Sequence, residues 1–361
     1  MRHDPPPQTG PDLWRLQTGA LVIIAFAVVL FLLVQARFLL ISLVTAIILF
    51  SVTSDLINWV GRIRFGALRI PNGVASMLAV LVVAGGLLSA TSLLIAQLNE
   101  IVVVSLTYLE RLPAAVASLF SFLGEEAEAA ILASLSTVDA SDWLRSLVGQ
   151  AGALTQGAVL VILFVGFLFA ERIWFHTKLL NLLGDPRRVQ SVERIIRRIA
   201  HKVNYYLLVK TVISGVTGVL IYLLAQTFGL ELAVAIGVMT FVLNFIPNVG
   251  SIVATLVVGL IAHVEIGSAA VTGVILLIST LVQFVTGNII DPMLMGRALR
   301  LSSFGIVLSL AFWGAIWGIA GMFLSVPIMV MLLVVCSHVP GLRSIAVLLS
   351  RQGLPESDDA L

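Results

Sequence analysis

The chain has 361 residues, of which 59% are apolar and only 11% charged, and its mean hydropathy is +1.09. That leaves too little polar surface to coat a water-soluble domain of this length, so the sequence reads as an all-α, polytopic integral membrane protein whose first partner is the lipid bilayer. The net charge of +2 is divided among loops rather than gathered on one basic face, which excludes a nucleic-acid partner; the single cysteine, Cys336, excludes an intrachain disulfide and a thiolate metal cluster.

Residues 1–18 are polar and proline-rich, and the apolar span 19–36 behind them has no cleavage pattern, which predicts a retained anchor. A second span covers 38–53. Arg62, Arg64 and Arg69 then follow without intervening acids, placing this connection, and with it the N-terminus, in the cytoplasm. A third span, 73–97, carries Gly85-Gly86, a pair that permits close helix contact or a bend. Residues 1–97 are thus an N-terminal tail and three spans.

Residues 98–150 change character, with seven carboxylates against only Arg111 and Arg145, and predict an external amphipathic helical segment. The carboxylates have no ligand-like spacing and read as a solvated face, not a metal site. Residues 151–203 hold the fourth span and a basic cytoplasmic segment, where eight Lys/Arg stand against Glu171, Asp185 and Glu193. Asp185-Pro186 reads as a helix N-cap followed by proline at the first helical position. Val189, Val192, Ile195, Ile196, Ile199 and Val203 then form one apolar stripe, predicting a helix along the inner surface with its basic face toward anionic headgroups.

Residues 204–340 form a C-terminal bundle. Its first span, 204–228, has Tyr205, Tyr206 and Lys210 near its inner end and Gly215 and Gly218 as small packing positions. The next apolar run, Leu232 to Ala262, is 31 residues long; as one helix it would measure roughly 46 Å against a hydrocarbon core of about 30 Å. Pro247 would clash with the carbonyl of Leu243 and lacks a donor, so the run breaks at Asn244–Gly250 into a kinked helix or two half-helices. The freed backbone groups need protein or water around them, the arrangement that builds solute sites in secondary transporters. Asn244, Pro247, Asn248 and Gly250 are therefore expected along a substrate or ion pathway, in a cavity shared with the last span.

The span 267–288 carries Gln283, Thr286 and Asn288 on its later half and ends at Asp291-Pro292, followed by Arg297 and Arg300. Gln283, Asn288, Asp291 and Arg297 join the expected pathway, since polar and ionisable groups at membrane depth mark sites. Asp291 has two readings, a functional carboxylate or a cap at the start of a short helix. The last run, 304–335, is again too long and is interrupted by Gly314, Gly318, Gly321 and Pro327; Gly314-x-x-x-Gly318 offers a helix seam within one subunit or between copies in a homo-oligomer. A tail, 341–361, ends the chain. Eight full crossings, the expectation adopted, put both termini in the cytoplasm but Arg297 and Arg300 outside, against the positive-inside tendency; a re-entrant 232–262 would put those arginines inside.

Three stretches carry a family resemblance: Phe241-Val-Leu-Asn-Phe-Ile-Pro-Asn-Val-Gly-Ser251, Asn288-Ile-Ile-Asp-Pro-Met-Leu-Met-Gly-Arg-Ala-Leu-Arg-Leu301, and Phe312 to Pro327. In their order and spacing the chain resembles the autoinducer-2 exporter (AI-2E) family of bacterial membrane proteins. It departs from that pattern at Asn248 and Ser251, where many members have Tyr and Pro. The resemblance implies a permease of the bacterial inner membrane that exports a small polar solute, without a cofactor; some members resemble sodium or lithium/proton antiporters, which makes a cation or proton the alternative cargo. An enzyme is not indicated, because the histidines are scattered without a His-Glu-x-x-His pattern, and no Gly-x-x-x-x-Gly-Lys-Ser/Thr loop supports an ATP-driven pump. A structural membrane protein without transport is the alternative of another class.

Overall fold

The computed structural model describes residues 11–62, 72–108, 140–295, 301–351 and 353. They form helices joined by short turns, with one isolated antiparallel bridge, Leu301 to Ser350. Twelve α-helices occur among the described residues: α1 Pro11–Gln35, α2 Arg37–Arg62, α3 Asn72–Tyr108, α4 Ala140–Glu171, α5 Phe175–Leu183, α6 Pro186–Thr227, α7 Ala233–Leu243, α8 Val249–Ile266, α9 Ala269–Val285, α10 Asp291–Met295, α11 Ser303–His338 and α12 Arg343–Leu349. Eight helical segments are long and apolar enough to cross a membrane, as the sequence predicted. Most of the expected external segment, including Glu110, Glu125, Glu126, Glu128 and Asp139, lies outside the described residues, as do Arg64, Arg69, Arg297 and Arg300.

In the N-terminal half, α1 continues into α2 through Ala36 with the i→i−4 backbone bonds kept on both sides, so the two apolar stretches stand end to end. A small core of Ala46, Ala79, Val161, Val165 and Phe169 joins α2, α3 and α4. At Gly85 and Gly86 an added Cβ would meet open space among the described residues, so the close helix contact that the pair permits is not made there among them.

Asp185 caps α6 as predicted, its side chain accepting from the Arg187 N–H at 2.9 Å ahead of Pro186. The amphipathic stretch behind it does not form a separate surface helix. With no Gly or Pro between the stripe and the next span, α6 runs 42 residues unbroken from the basic segment into the bundle.

The two overlong runs are both reversals. Glu231 at the start of α7 donates its backbone N–H to the Glu265 carboxylate at the end of α8, at 2.9 Å, so α7 and α8 lie antiparallel and the break at Asn244–Asn248 is the tip of a hairpin. A Cβ on Gly250 would lie 1.8 Å from the Leu243 carbonyl oxygen, so only glycine lets the two arms close there. Asn248 carries the turn with φ +60°, the only non-glycine positive φ among the described residues. Helix α11 likewise folds back at Gly318 (φ +64°, ψ −142°). Across its two arms, 303–317 and 319–338, the Ser309 hydroxyl donates to the Ser325 carbonyl at 2.8 Å, and a Cβ on Gly321 would sit 2.0 Å from the Trp313 carbonyl oxygen. The phenyl rings of Phe245 and Phe323 stack 4.7 Å apart near the two tips.

The hairpins enter from opposite faces. The first opens beside the C-terminal end of α6, while the second returns to the basic end, where Arg198 meets His338 at 3.3 Å and Leu301–Ser302 pairs with Leu349–Ser350. This corrects the expectation of eight full crossings. Because 232–262 turns back, α9 descends to the basic face, and both ends of the connection that carries Arg297 and Arg300 lie there. The positive-inside conflict disappears, and a second reversal at Gly318 likewise returns the chain at His338 and Ser350 to that face. Gly314 packs against Met322 of the opposite arm at 3.0 Å, and Gly318 is the turn itself. The Gly314-x-x-x-Gly318 seam is therefore used within one chain.

Candidate functional site

Between the first hairpin tip, the later half of α9, α10 and the open end of the second hairpin lies a cavity of about 680 Å³, the size of a small-molecule site. Asn244, Pro247, Asn248, Gln283, Asn288 and Asp291 line it, together with Ser303, Ile306, Val307 and Val326 of α11. Of the residues expected on the pathway, Gly250 does not line the cavity and instead closes the hairpin behind it, and Arg297 lies outside the described residues.

Asp291 is not the cap of a new helix. The chain passes from α9 through a π-helical turn, Thr286–Ile290, directly into α10, and Asp291 has helical dihedrals (φ −54°, ψ −52°). Pro292 cannot donate to the carbonyl one turn back and its ring crowds it, and the widened turn accommodates both defects without ending the helix. Held this way, Asp291 accepts from the Lys210 ammonium at 2.7 Å, with the two side chains only 19% and 6% exposed. An ion pair this far from water is an expensive feature, whose Coulomb gain roughly offsets its desolvation.

The sequence reading noted Lys210 but did not assign it to the site. The signal was present: a lysine one turn inside an otherwise apolar span needs a carboxylate, and only Glu231, Glu265 and Asp291 follow it in the bundle before residue 340. Arg351 was also missed. It reaches the rim because the bridge between Leu301 and Ser350 straps the C-terminal segment across the mouth of the second hairpin.

The walls are rich in unmatched polarity. Tyr206 Oη, Asp291 Oδ1 and both amide atoms of Gln283 are buried without a partner among the described residues. Asn244 is held by its Nδ2, which donates to Ser214 Oγ at 3.1 Å, while Asn248 is exposed to the cavity. Among the described residues no cluster of three or more His, Cys, Asp or Glu offers a metal site. The arrangement suits recognition of an oxygen-rich solute by carboxamides, hydroxyls and one fixed ion pair.

Comparison with known proteins places these features in context. The profile of the AI-2E family transporters matches residues 21–341. The AI-2 transport protein TqsA of Escherichia coli K12 is 34% identical over 208 residues, 57% of this chain and 59% of that protein. A provisionally named transport protein of Haemophilus influenzae is 33% identical over 209 residues, again 57% of this chain and 59% of its own. The matches thus span about three fifths of these relatives' length.

Proposed function

The chain belongs to the AI-2E transporter family, and on that premise we propose that it is a secondary permease of the bacterial inner membrane that exports a small polar solute of the autoinducer-2 kind through the cavity at the first hairpin tip. The observation that carries this reading is the set of buried polar atoms without partners around the Lys210–Asp291 pair. A purely structural membrane protein has no use for them, since each unpaired buried group costs about 1–3 kcal/mol. The positive-inside tendency orients Arg187 and Arg198 toward the cytoplasm, so the cavity draws solute from that side. A solute transported unchanged needs no nucleophile, base or cofactor, which is the reading of the chain as a non-enzyme. The comparisons lend no support to cation/proton antiport.

The test is labelling and efflux on one preparation. In a Cys336→Ser background, Asn248→Cys in proteoliposomes is expected to react with a small polar thiol reagent, with protection by a furanone polyol of the autoinducer-2 kind, and the parent vesicles are expected to export that compound. An inert Asn248→Cys in folded protein, or labelling unaffected by the furanone together with absent efflux, overturns the reading.

A further inference from the structure

The cavity lining reaches Asn244 at the end of α7 and Thr280 on α9, but buried polarity continues past both. Helices α7 and α9 both run from the face opposite the basic one toward the cavity, and the two can be read level by level. Asn244 and Gln283 line the cavity together. Eight residues earlier on each helix, roughly 12 Å higher at 1.5 Å per residue, Ile236 and Ile275 belong to one apolar cluster. Midway between these levels stand Thr240 on α7 and Ser279 on α9. Both are 0% exposed, and the hydroxyl of each is without a partner among the described residues, as are both amide atoms of Gln283.

A helix threonine or serine normally donates to the carbonyl one turn back, as Thr217 and Thr286 do here. Thr240 and Ser279 forgo that bond at corresponding levels of two helices that both pack against α6 and α8. The side chains above them are of the opposite kind: Ile236, Val258 and Ile275 are 1%, 1% and 0% exposed. Above these, Thr272 Oγ1 and His263 Nδ1 meet at 3.2 Å close to the far face. Polarity therefore resumes on the other side of one apolar layer.

We propose that Thr240 and Ser279, behind Gln283 in the cavity wall, continue the solute path beyond the cavity, and that Ile236, Val258 and Ile275 are the gate that closes this path from the face opposite the basic helix. The inference rests on the transport reading above and adds the route and its barrier. In the closed state the layer excludes water, because a polar solute crossing it would shed its hydrogen bonds onto apolar side chains. Each polar group so stripped lowers permeation by roughly tenfold, about 1.4 kcal/mol. When the gate parts, the waiting hydroxyls and the Gln283 amide receive the solute.

Two measurements in Cys336→Ser proteoliposomes of defined orientation test this. Ile236→Ser/Ile275→Ser is expected to raise the passive leak of sorbitol by about tenfold or more over the parent, because two groups of the barrier become polar. Ser279→Cys, nearly isosteric and safe for folding, is expected to be unreactive toward a polar thiol reagent added on the far side and to become reactive once the two isoleucines are replaced. Asn248→Cys is the control in the same vesicles. If it labels while the serine double variant stays tight and Ser279→Cys stays inert, the gate is refuted and the cavity stands. If it is inert as well, the transport reading fails with it. Should the serine double variant not fold, Ser279→Cys in the otherwise unaltered chain decides: labelling from the far side during furanone export sustains the gate, and inertness under export refutes it.

Discussion

Asp185-Pro186 and Asp291-Pro292 are the same dipeptide, and the molecule uses them for opposite purposes. The first stands in water at the membrane surface, where Asp185 has extended dihedrals and accepts the Arg187 N–H, and Pro186 opens α6. The second lies inside a helix, where Pro292 is absorbed by a π-helical turn and Asp291 is paired with Lys210 from 81 residues earlier. The difference teaches that a cap is a property of surroundings as much as of residues. A carboxylate in solvent satisfies local N–H groups, but one carried into a bundle beside an ammonium must pair with it, because leaving either charge alone in a low dielectric costs far more than a cap is worth.

The sharpest way to break the comparison is Asp291→Ala, which strands the Lys210 ammonium at 6% exposure. A loss of about 3–5 kcal/mol is expected in unfolding of the purified protein. Lys210→Met/Asp291→Leu, which removes both charges, should recover most of that stability while remaining unable to move solute. A single variant as stable as the parent would show that the pair carries no weight.

Asp291→Asn keeps shape and hydrogen-bonding ability but loses the charge. It should cost less than the alanine, about 1–3 kcal/mol, and still abolish transport in the liposome assay. Parent-like transport by this variant would show that the charge of Asp291 plays no part in moving solute. Pro292→Ala restores a backbone donor, so the π-helical turn is free to relax and carry Asp291 away from Lys210; export should fall by about tenfold with stability changed by less than about 1 kcal/mol.

The smallest effects belong to the surface member of the pair. Asp185→Ala should remove about 1 kcal/mol and Asp185→Asn almost nothing, and both should transport like the parent. A transport defect in Asp185→Asn would mean that the first dipeptide, too, has duties beyond its cap.

How far the fold was legible depended on the range of the interaction. Apolar length and the basic segment of 171–202 declared a bundle of membrane helices, and Pro247 marked where one run had to break, because these follow from local backbone chemistry and solvation; for the last run four positions were marked, Gly314, Gly318, Gly321 and Pro327, and the break falls at Gly318 while Pro327 stays inside the helix. Asn244, Asn248, Gln283, Asn288 and Asp291 could be picked out for the cavity, since polar groups in apolar stretches stand out against composition alone. The direction taken after each break could not be read this way: a kink and a reversal satisfy the same local rules. What selects the reversal is the fit of Gly250 against the Leu243 carbonyl and of Gly321 against the Trp313 carbonyl, contacts that exist only once the arms are folded together. Tertiary structure alone likewise brought Lys210 to Asp291, strapped Arg351 across the rim, consumed the Gly314 seam within one chain, and buried the Thr240 and Ser279 hydroxyls without partners among the described residues. Each of these joins residues distant along the chain, and local propensity carries no record of which distant partner a buried charge, a glycine face or an unmatched hydroxyl will meet.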